Sequence, residues 1–202
     1  MKTIILIRHS EPIKDRTVPT EVLPLSERGN RKVSALFSLD LFRHFDAVYS
    51  SPYQRAYSTA QKLCESPIID RRLREREVGS PQMSDTAFWR CQYDDYDYKS
   101  ADADGESLND TKERMTAVVN EMLSGMQEGE TVAAVSHAAA ICALLLNWCS
   151  VAVVDEQKKE RRISWRGTVV LNGRIAMPGA FILHFENDRL CKISYMDGER
   201  QN

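Results

Sequence analysis

The 202-residue chain contains no C-x-x-C pair, no excess of either charge, no apolar run long enough to cross a membrane and no internal repeat. Each absence closes a class of explanation. The five cysteines (Cys64, Cys91, Cys142, Cys149 and Cys191) are an odd number in a chain too long for a disulfide mini-protein, so they read as reduced thiols. Twenty-seven basic against 29 acidic side chains leave a formal charge of −2, which removes the electrostatic reason to expect a nucleic-acid partner. The apolar stretch Ile4-Ile5-Leu6-Ile7 stops at Arg8, short of the roughly 7–15 residues of a secretory signal and of the ~18 of a membrane span. A cytoplasmic protein without a membrane partner is the expectation. His44 and His184 stand alone in the sequence, so no metal is expected, and nothing calls for a cofactor.

What is present is ordinary for a globular protein: 43% hydrophobic and 28% charged residues. A chain of this length hides roughly 70% of its unfolded surface on folding and needs no staple. A single domain over 1–202 is therefore expected.

Ile4 to Ile7 is an apolar run without alternation, as in a strand covered on both faces of a parallel sheet. Val33, Leu36, Phe37 and Leu41 recur at helical spacing, which predicts a helix over 27–43 with Ser26 as its N-cap. Residues 46–50 read as a second strand, the composition from Pro52 to Leu63 as helical, and Pro67-Ile68-Ile69 as an edge strand. From 71 to 106 no period is sustained; this charged stretch holds Pro81, Phe88, Trp89 and the run Tyr93-Asp94-Asp95-Tyr96-Asp97-Tyr98. Ser107 with Asp110 resembles a capping box ahead of a helix marked by Met115, Val118, Val119, Met122 and Met126. Thr131 to Val135 reads as another buried strand and Ala138 to Trp148 as a helix.

Asp155 to Arg162 reads as a solvated charge run. Asn172-Gly173 carries the strongest hairpin signal, between 168–171 and 174–177, and 181–185 with 190–195 gives a further pair. Strands alternating with helices over the first 150 residues predict an α/β fold. The expected form is a three-layer sandwich with a mostly parallel central sheet, helices on both faces, a small irregular cap at about 76–106 and C-terminal hairpin elements at about 165–196.

Two histidines stand directly after buried strands, in Arg8-His9 and in Ser136-His137, and Arg55 begins the helix that follows a third. Ligands of open α/β sheets bind outside the carboxyl ends of the strands. Two arginines and two histidines converging there suit a phosphate, since guanidinium forks match its oxygens and a neutral imidazole can attack phosphorus.

Five elements occur in an order that resembles the histidine phosphatase superfamily, the phosphoglycerate-mutase-like group, in its smaller phosphatase branch. They are Arg8-His9-Ser10-Glu11, the segment from Ser50 to Ala60, Leu73-Arg74-Glu75-Arg76-Glu77-Val78-Gly79, Gly105-Glu106-Ser107 and Val135-Ser136-His137. Pro24-Leu25-Ser26-Glu27-Arg28-Gly29 is similar to a further family segment. The resemblance implies His9 as the nucleophile that forms a phosphohistidine, Arg8, Arg55 and His137 around the phosphoryl group, and Glu75 as the acid that protonates the leaving oxygen. Glu77 is the alternative acid, Ser107 and Ser10 are assisting phosphate contacts, and Asp15 and Arg16 are further candidates. Ser10 and Ala138 stand where the family commonly has glycine.

Family mutases are longer and enclose the substrate. Here 81–106 holds Arg90 and Lys99 against seven acidic residues, Asp85, Asp94, Asp95, Asp97, Asp102, Asp104 and Glu106, which disfavours a second phosphate. The expected function is hydrolysis of a small phosphorylated metabolite by a metal-independent phosphomonoesterase, with a homodimer as the candidate assembly. Two alternatives stand beside it: a regulatory phosphatase acting on phosphoproteins or phosphohistidine, and a non-catalytic phosphate-binding protein.

Overall fold

The computed structural model describes residues 1–100 and 105–198. Asp102 and Asp104 of the acidic count above lie outside the described residues. The chain forms two compact units: Met1–Arg74 with Val118–His137 and Ile175–Asn202, and Glu75–Ala117 with Ala138–Arg174.

The first unit is built on a six-stranded sheet. Its strands are β1 (Lys2–Arg8), β2 (Ala47–Ser50), β3 (Ile68–Ile69), β4 (Thr131–Ser136), β8 (Gly179–Glu186) and β9 (Arg189–Asp197), in the order β3-β2-β4-β1-β8-β9. The first four are parallel; β8 and β9 add an antiparallel edge. The sheet is thus mixed and mostly parallel, as the alternating pattern predicts. β1 is paired on both sides, and Ile4 through Ile7 have no exposed surface, which is why that run shows no alternation. One side of the sheet (Ile5, Ile7, Val48, Ala133, Val135, Ala180 and Ile182) packs with Leu36, Phe42, Ala56 and Ala60 into a single core.

Leu36 belongs to α1 (Glu27–Phe37), which Ser26 caps by accepting the Gly29 N–H at 2.9 Å. The helix is shorter than the periodicity suggests. Leu39 is extended, and a 3₁₀ turn at Asp40–Phe42 then carries Phe42 into the core. Ala56 and Ala60 lie on α2 (Gln54–Ala60).

The second unit holds α3 (Asp85–Asp94), α5 (Ala138–Leu145) and a three-stranded antiparallel sheet of β5 (Ser150–Asp155), β6 (Glu160–Trp165) and β7 (Thr168–Gly173). α4 (Leu108–Gly125) runs through both units. The capping box is reciprocal: Ser107 N–H donates to Asp110 Oδ2 at 2.8 Å and Asp110 N–H to Ser107 Oγ at 3.0 Å.

Three sequence expectations need correction. The stretch from 71 to 106 is not wholly irregular: Ser84 caps α3 by accepting from Ala87 N–H, and α3 buries Phe88 and Trp89. Asp155 to Arg162 is not one solvated face. It contains the turn between β5 and β6, and Arg161 is buried. Asn172-Gly173 turns no hairpin, because β7 continues through it, with Asn172 opposite Arg162 and Gly173 opposite Arg161. The turn is Arg166-Gly167, at φ 48° and 81°, the pair of positive values that joins twisted antiparallel strands through two residues. Asn187-Asp188, at φ 49° and 58°, does the same between β8 and β9, where a hairpin is expected.

Candidate active site

Three parallel strands of the first unit end level: Arg8 pairs with Ser136, and Ser50 with Val135. The next residue of each strand extends the ladder by one bond. His9 N–H donates to the Ser136 carbonyl and Ser51 N–H to the Val135 carbonyl, both at 2.9 Å. His9, Ser51 and His137 therefore stand together beyond the carboxyl edge of the sheet, and all three are buried.

Arg55 links them. Its Nε–H donates to His9 Nε2 at 3.1 Å and its Nη2 lies 3.1 Å from His137 Nδ1. A third bond runs from Nη1 to the Thr20 carbonyl, and the guanidinium sits 4.9 Å from the Tyr53 ring centre. The two imidazoles lie 5.0 Å apart, and Tyr53 meets His137 edge-on, also at 5.0 Å.

Donor chemistry fixes both tautomers, because carbonyls only accept and guanidinium N–H groups only donate. His9 Nδ1 is 2.7 Å from the Ser10 carbonyl and carries the proton, which leaves the lone pair on Nε2, the atom facing Arg55. His137 Nδ1 accepts from Arg55, so its proton is on Nε2, directed at Ser51 Oγ at 2.8 Å. Burial, Arg55 and Arg8 push the His9 imidazole down to about 3, against the upward pull of the Ser10 carbonyl. It is neutral at every physiological pH.

The loop after His9 is clamped from two directions. Ser10 N–H donates to Thr59 Oγ1 at 3.0 Å, and Thr59 Oγ1 donates to the Arg55 carbonyl at 2.7 Å, so one buried hydroxyl ties the arginine's turn to the histidine's. Ser10 Oγ donates to the Gly29 carbonyl at 2.7 Å, and Ser26 N–H to the Glu11 carbonyl at 2.9 Å. A Cβ on Gly29 would fall 2.0 Å from that same Glu11 oxygen, so only glycine lets α1 approach this closely. Glu11 itself pairs with Arg28 and Lys32.

Arg8, half-buried, turns its Nη1 to the Ile175 carbonyl. Asp15 accepts from the backbone and hydroxyl of Thr17 in a surface turn, and Arg16 is exposed. The remaining candidates belong to the second unit. Glu75 is half-buried; its Oε1 accepts the Ala140 N–H at 3.1 Å, in the first turn of α5, and the Arg76 N–H at 2.9 Å. Glu77 is exposed, with its N–H donating to Glu106 Oε2 at 3.1 Å. Ser107 caps α4. Sequence reasoning missed Ser51 and Thr59 as individual participants, although both lie in the segment from Ser50 to Ala60 that carries the resemblance. Among the described residues no group of three or more His, Cys, Asp or Glu side chains could hold a metal.

A neutral imidazole nitrogen held beside two guanidinium groups and a second imidazole at the edge of a parallel sheet is an arrangement for binding an oxyanion and attacking it. A profile of the histidine phosphatase superfamily (branch 1) matches residues 4–161, and the chain belongs to that family. No curated protein matches the sequence. Among solved structures, mycobacterial glucosyl-3-phosphoglycerate phosphatase with inorganic phosphate is similar over 98% of this chain and 99% of its own, with a TM-score of 0.68 at 21% identity. Phosphoserine phosphatase from Entamoeba histolytica is similar over 96% and 97%, with a TM-score of 0.64 at 18% identity. A putative α-ribazole-5′-phosphate phosphatase from Escherichia coli is similar over 96% and 95%, again with a TM-score of 0.64 at 18% identity. No helix among the described residues is long and apolar enough to cross a membrane.

Proposed function

We propose that this protein is a phosphomonoesterase acting on a small phosphorylated metabolite through a phosphohistidine at His9. The observation that carries the reading is the state of His9: Nδ1–H tied to the Ser10 carbonyl, Nε2 unprotonated and directed at Arg55. In the first step Nε2 attacks phosphorus and the P–O ester bond breaks. The Nε–H that Arg55 gives to Nε2 passes to a phosphoryl oxygen as the lone pair is used, so the guanidinium follows the charge from ground state to transition state. Arg8 and His137 complete the cradle.

The alcohol leaves with a proton from Glu75. In the second step water attacks the phosphohistidine, its proton returns to Glu75 and inorganic phosphate departs. Support for Glu75 over Glu77 comes from its half-buried carboxylate, fixed by backbone N–H groups, against an exposed one. The names of the similar solved proteins, all phosphatases of small metabolites, support the substrate class. The cytoplasm, where reduced thiols are the rule, fits the five free cysteines.

Rapid quench with ³²P-labelled substrate tests the covalent step. An acid-labile, alkali-stable phosphoenzyme that vanishes in His9→Ala is expected; turnover by His9→Ala at the parent rate overturns the reading.

A further inference from the structure

In the first unit β8 separates β9 from β1. Arg8 at the end of β1 pairs with Gly179 on β8, and Gly179 in turn with Asp197 on β9. Residues opposite one another on paired strands share a face, so Arg8 and Asp197 stand on one face of the sheet, two strand spacings or about 10 Å apart. Gly179 between them carries no side chain, and the hydroxyl of Tyr195 takes up the place: a Cβ on Gly179 would collide with Tyr195 Oη. Tyr195 precedes Asp197 by two residues on β9 and so lies on the same face, with its ring centre 4.9 Å from that of Phe181. Tyr195 and Asp197 are both buried.

Two hydrogen bonds meet at a single peptide group. Arg8 Nη1 donates to the Ile175 carbonyl, and the N–H of the next residue, Ala176, donates to Tyr195 Oη at 2.7 Å. The Ile175–Ala176 peptide is thus held from both sides, by the guanidinium at its oxygen and by the phenol at its N–H. Having accepted there, Tyr195 gives its own proton to Asp197. Burial pushes the phenol up against the pull of the Ala176 N–H and of Arg8, and Asp197 adds to the rise through its charge and that hydrogen bond. The phenol therefore stays a neutral donor. Every donor in the chain points the same way, from the guanidinium toward the carboxylate, and bonds so aligned polarise one another.

We propose that Tyr195, backed by Asp197, is a positioning residue for Arg8: through the Ile175–Ala176 peptide it fixes where the guanidinium meets a phosphoryl group. The setting of Arg8 stands by itself; its effect on turnover rests on the phosphomonoesterase reading above.

The test compares wild type, Tyr195→Phe, Asp197→Asn and Arg8→Ala, with each of the first two variants also combined with Arg8→Ala. Phenylalanine keeps the ring against Phe181 and removes only the hydroxyl. Both kcat/KM for nitrophenyl phosphate and the affinity for inorganic phosphate should fall about 10-fold in Tyr195→Phe and about 3-fold in Asp197→Asn. On top of Arg8→Ala either change should cost less than about twofold more, because the route to the phosphate is already gone. In ¹⁵N–¹H spectra of the unliganded protein the Arg8 Nε–H resonance, identified by its loss in Arg8→Ala, should move in both Tyr195→Phe and Asp197→Asn.

Activity and phosphate affinity within about twofold of wild type in Tyr195→Phe overturn the proposal. So does an equal loss with and without Arg8, which marks a hydroxyl needed only for the fold. A loss in Asp197→Asn without one in Tyr195→Phe also overturns it, because Asp197 then acts on Arg8 directly. Should Tyr195→Phe fail to fold, Asp197→Asn decides through the same pairing with Arg8→Ala. If wild type neither binds phosphate nor hydrolyses aryl phosphates, the phosphatase reading fails and the Arg8 resonance still decides: unmoved in both variants, it overturns the positioning as well.

Discussion

Arg55 donates to His9 and to His137 from two nitrogens of one guanidinium, at 3.1 Å each. One side chain thus sets the spacing of both imidazoles. Burial is the larger cause of the low basicity of His9, and Arg55 adds to it, since a fixed cation in contact with Nε2 disfavours a second positive charge there.

His9 should remain the Nδ1–H tautomer down to low pH. A ¹⁵N–¹H correlation spectrum is expected to show its Nε2 as an unprotonated nitrogen with a shift constant from about pH 8 to about pH 5. Titration near the ordinary histidine value of 6.5 would contradict the geometry.

The same displacement has a stability consequence. An unfolded histidine takes up a proton near 6.5 but folded His9 only near 3, so below 6.5 the unfolded chain binds more protons. The neutral-state contribution is complete above about 6.5 and is lost as the pH falls toward 3. Urea unfolding of wild type should therefore weaken with acid more steeply than that of His9→Asn across this window. Parallel curves for the two proteins would count against it.

Thr59→Val keeps the shape of a fully buried side chain and removes the oxygen that joins Ser10 to Arg55. It strands the Ser10 N–H, which costs about 1–3 kcal/mol in urea unfolding. Loosening of the His9 loop against Arg55 should lower kcat roughly 10-fold, with Thr59→Ser restoring most of it.

Gly29→Ala pushes a methyl group into the Glu11 carbonyl. Backbone has to yield, so a loss of about 2–4 kcal/mol is expected, together with lower kcat, because Ser10 hangs from the Gly29 carbonyl. Circular-dichroism melts and steady-state rates on the same preparation check both.

Glu75→Gln should separate substrates by leaving group. Alkyl phosphates, whose alcohol needs a proton, are expected to slow by about 10²–10⁴-fold, and nitrophenyl phosphate far less. A steeper dependence of rate on leaving-group pKa in Glu75→Gln is the measurement. The same pattern in Glu77→Gln and not in Glu75→Gln would reassign the acid.

The mostly parallel sheet was legible, though not its strand order, because β1 and β4 are covered on both faces and spell themselves as unbroken apolar runs. Arg8, His9, Arg55 and His137 could be grouped as candidates because Arg8 ends β1 and the other three come just after strands. Ser51 and Thr59 were harder to single out: a buried hydroxyl that serves as a bracket looks like any small polar residue until its partners are placed. Arg161 sat in a run of charges whose average is polar, and only the alternation of buried Arg161 and Ile163 on β6 separates it from its neighbours. Asn172-Gly173 misled because a turn-forming pair says where a turn is tolerated, and the register with β6 required one six residues earlier.

The pairing of β1 has a consequence for how the protein comes into being. The strand that leads into His9 is flanked by residues 131–136 on one side and 179–186 on the other. A ribosome adding about 5–20 residues per second reaches the second partner roughly 10–35 s after it has made the first strand. Through that interval the strand is an apolar segment with one or both edges open, a ready target for chaperones and for misplaced pairing. The strand that leads to His9 is thus made well before the partner that completes its pairing.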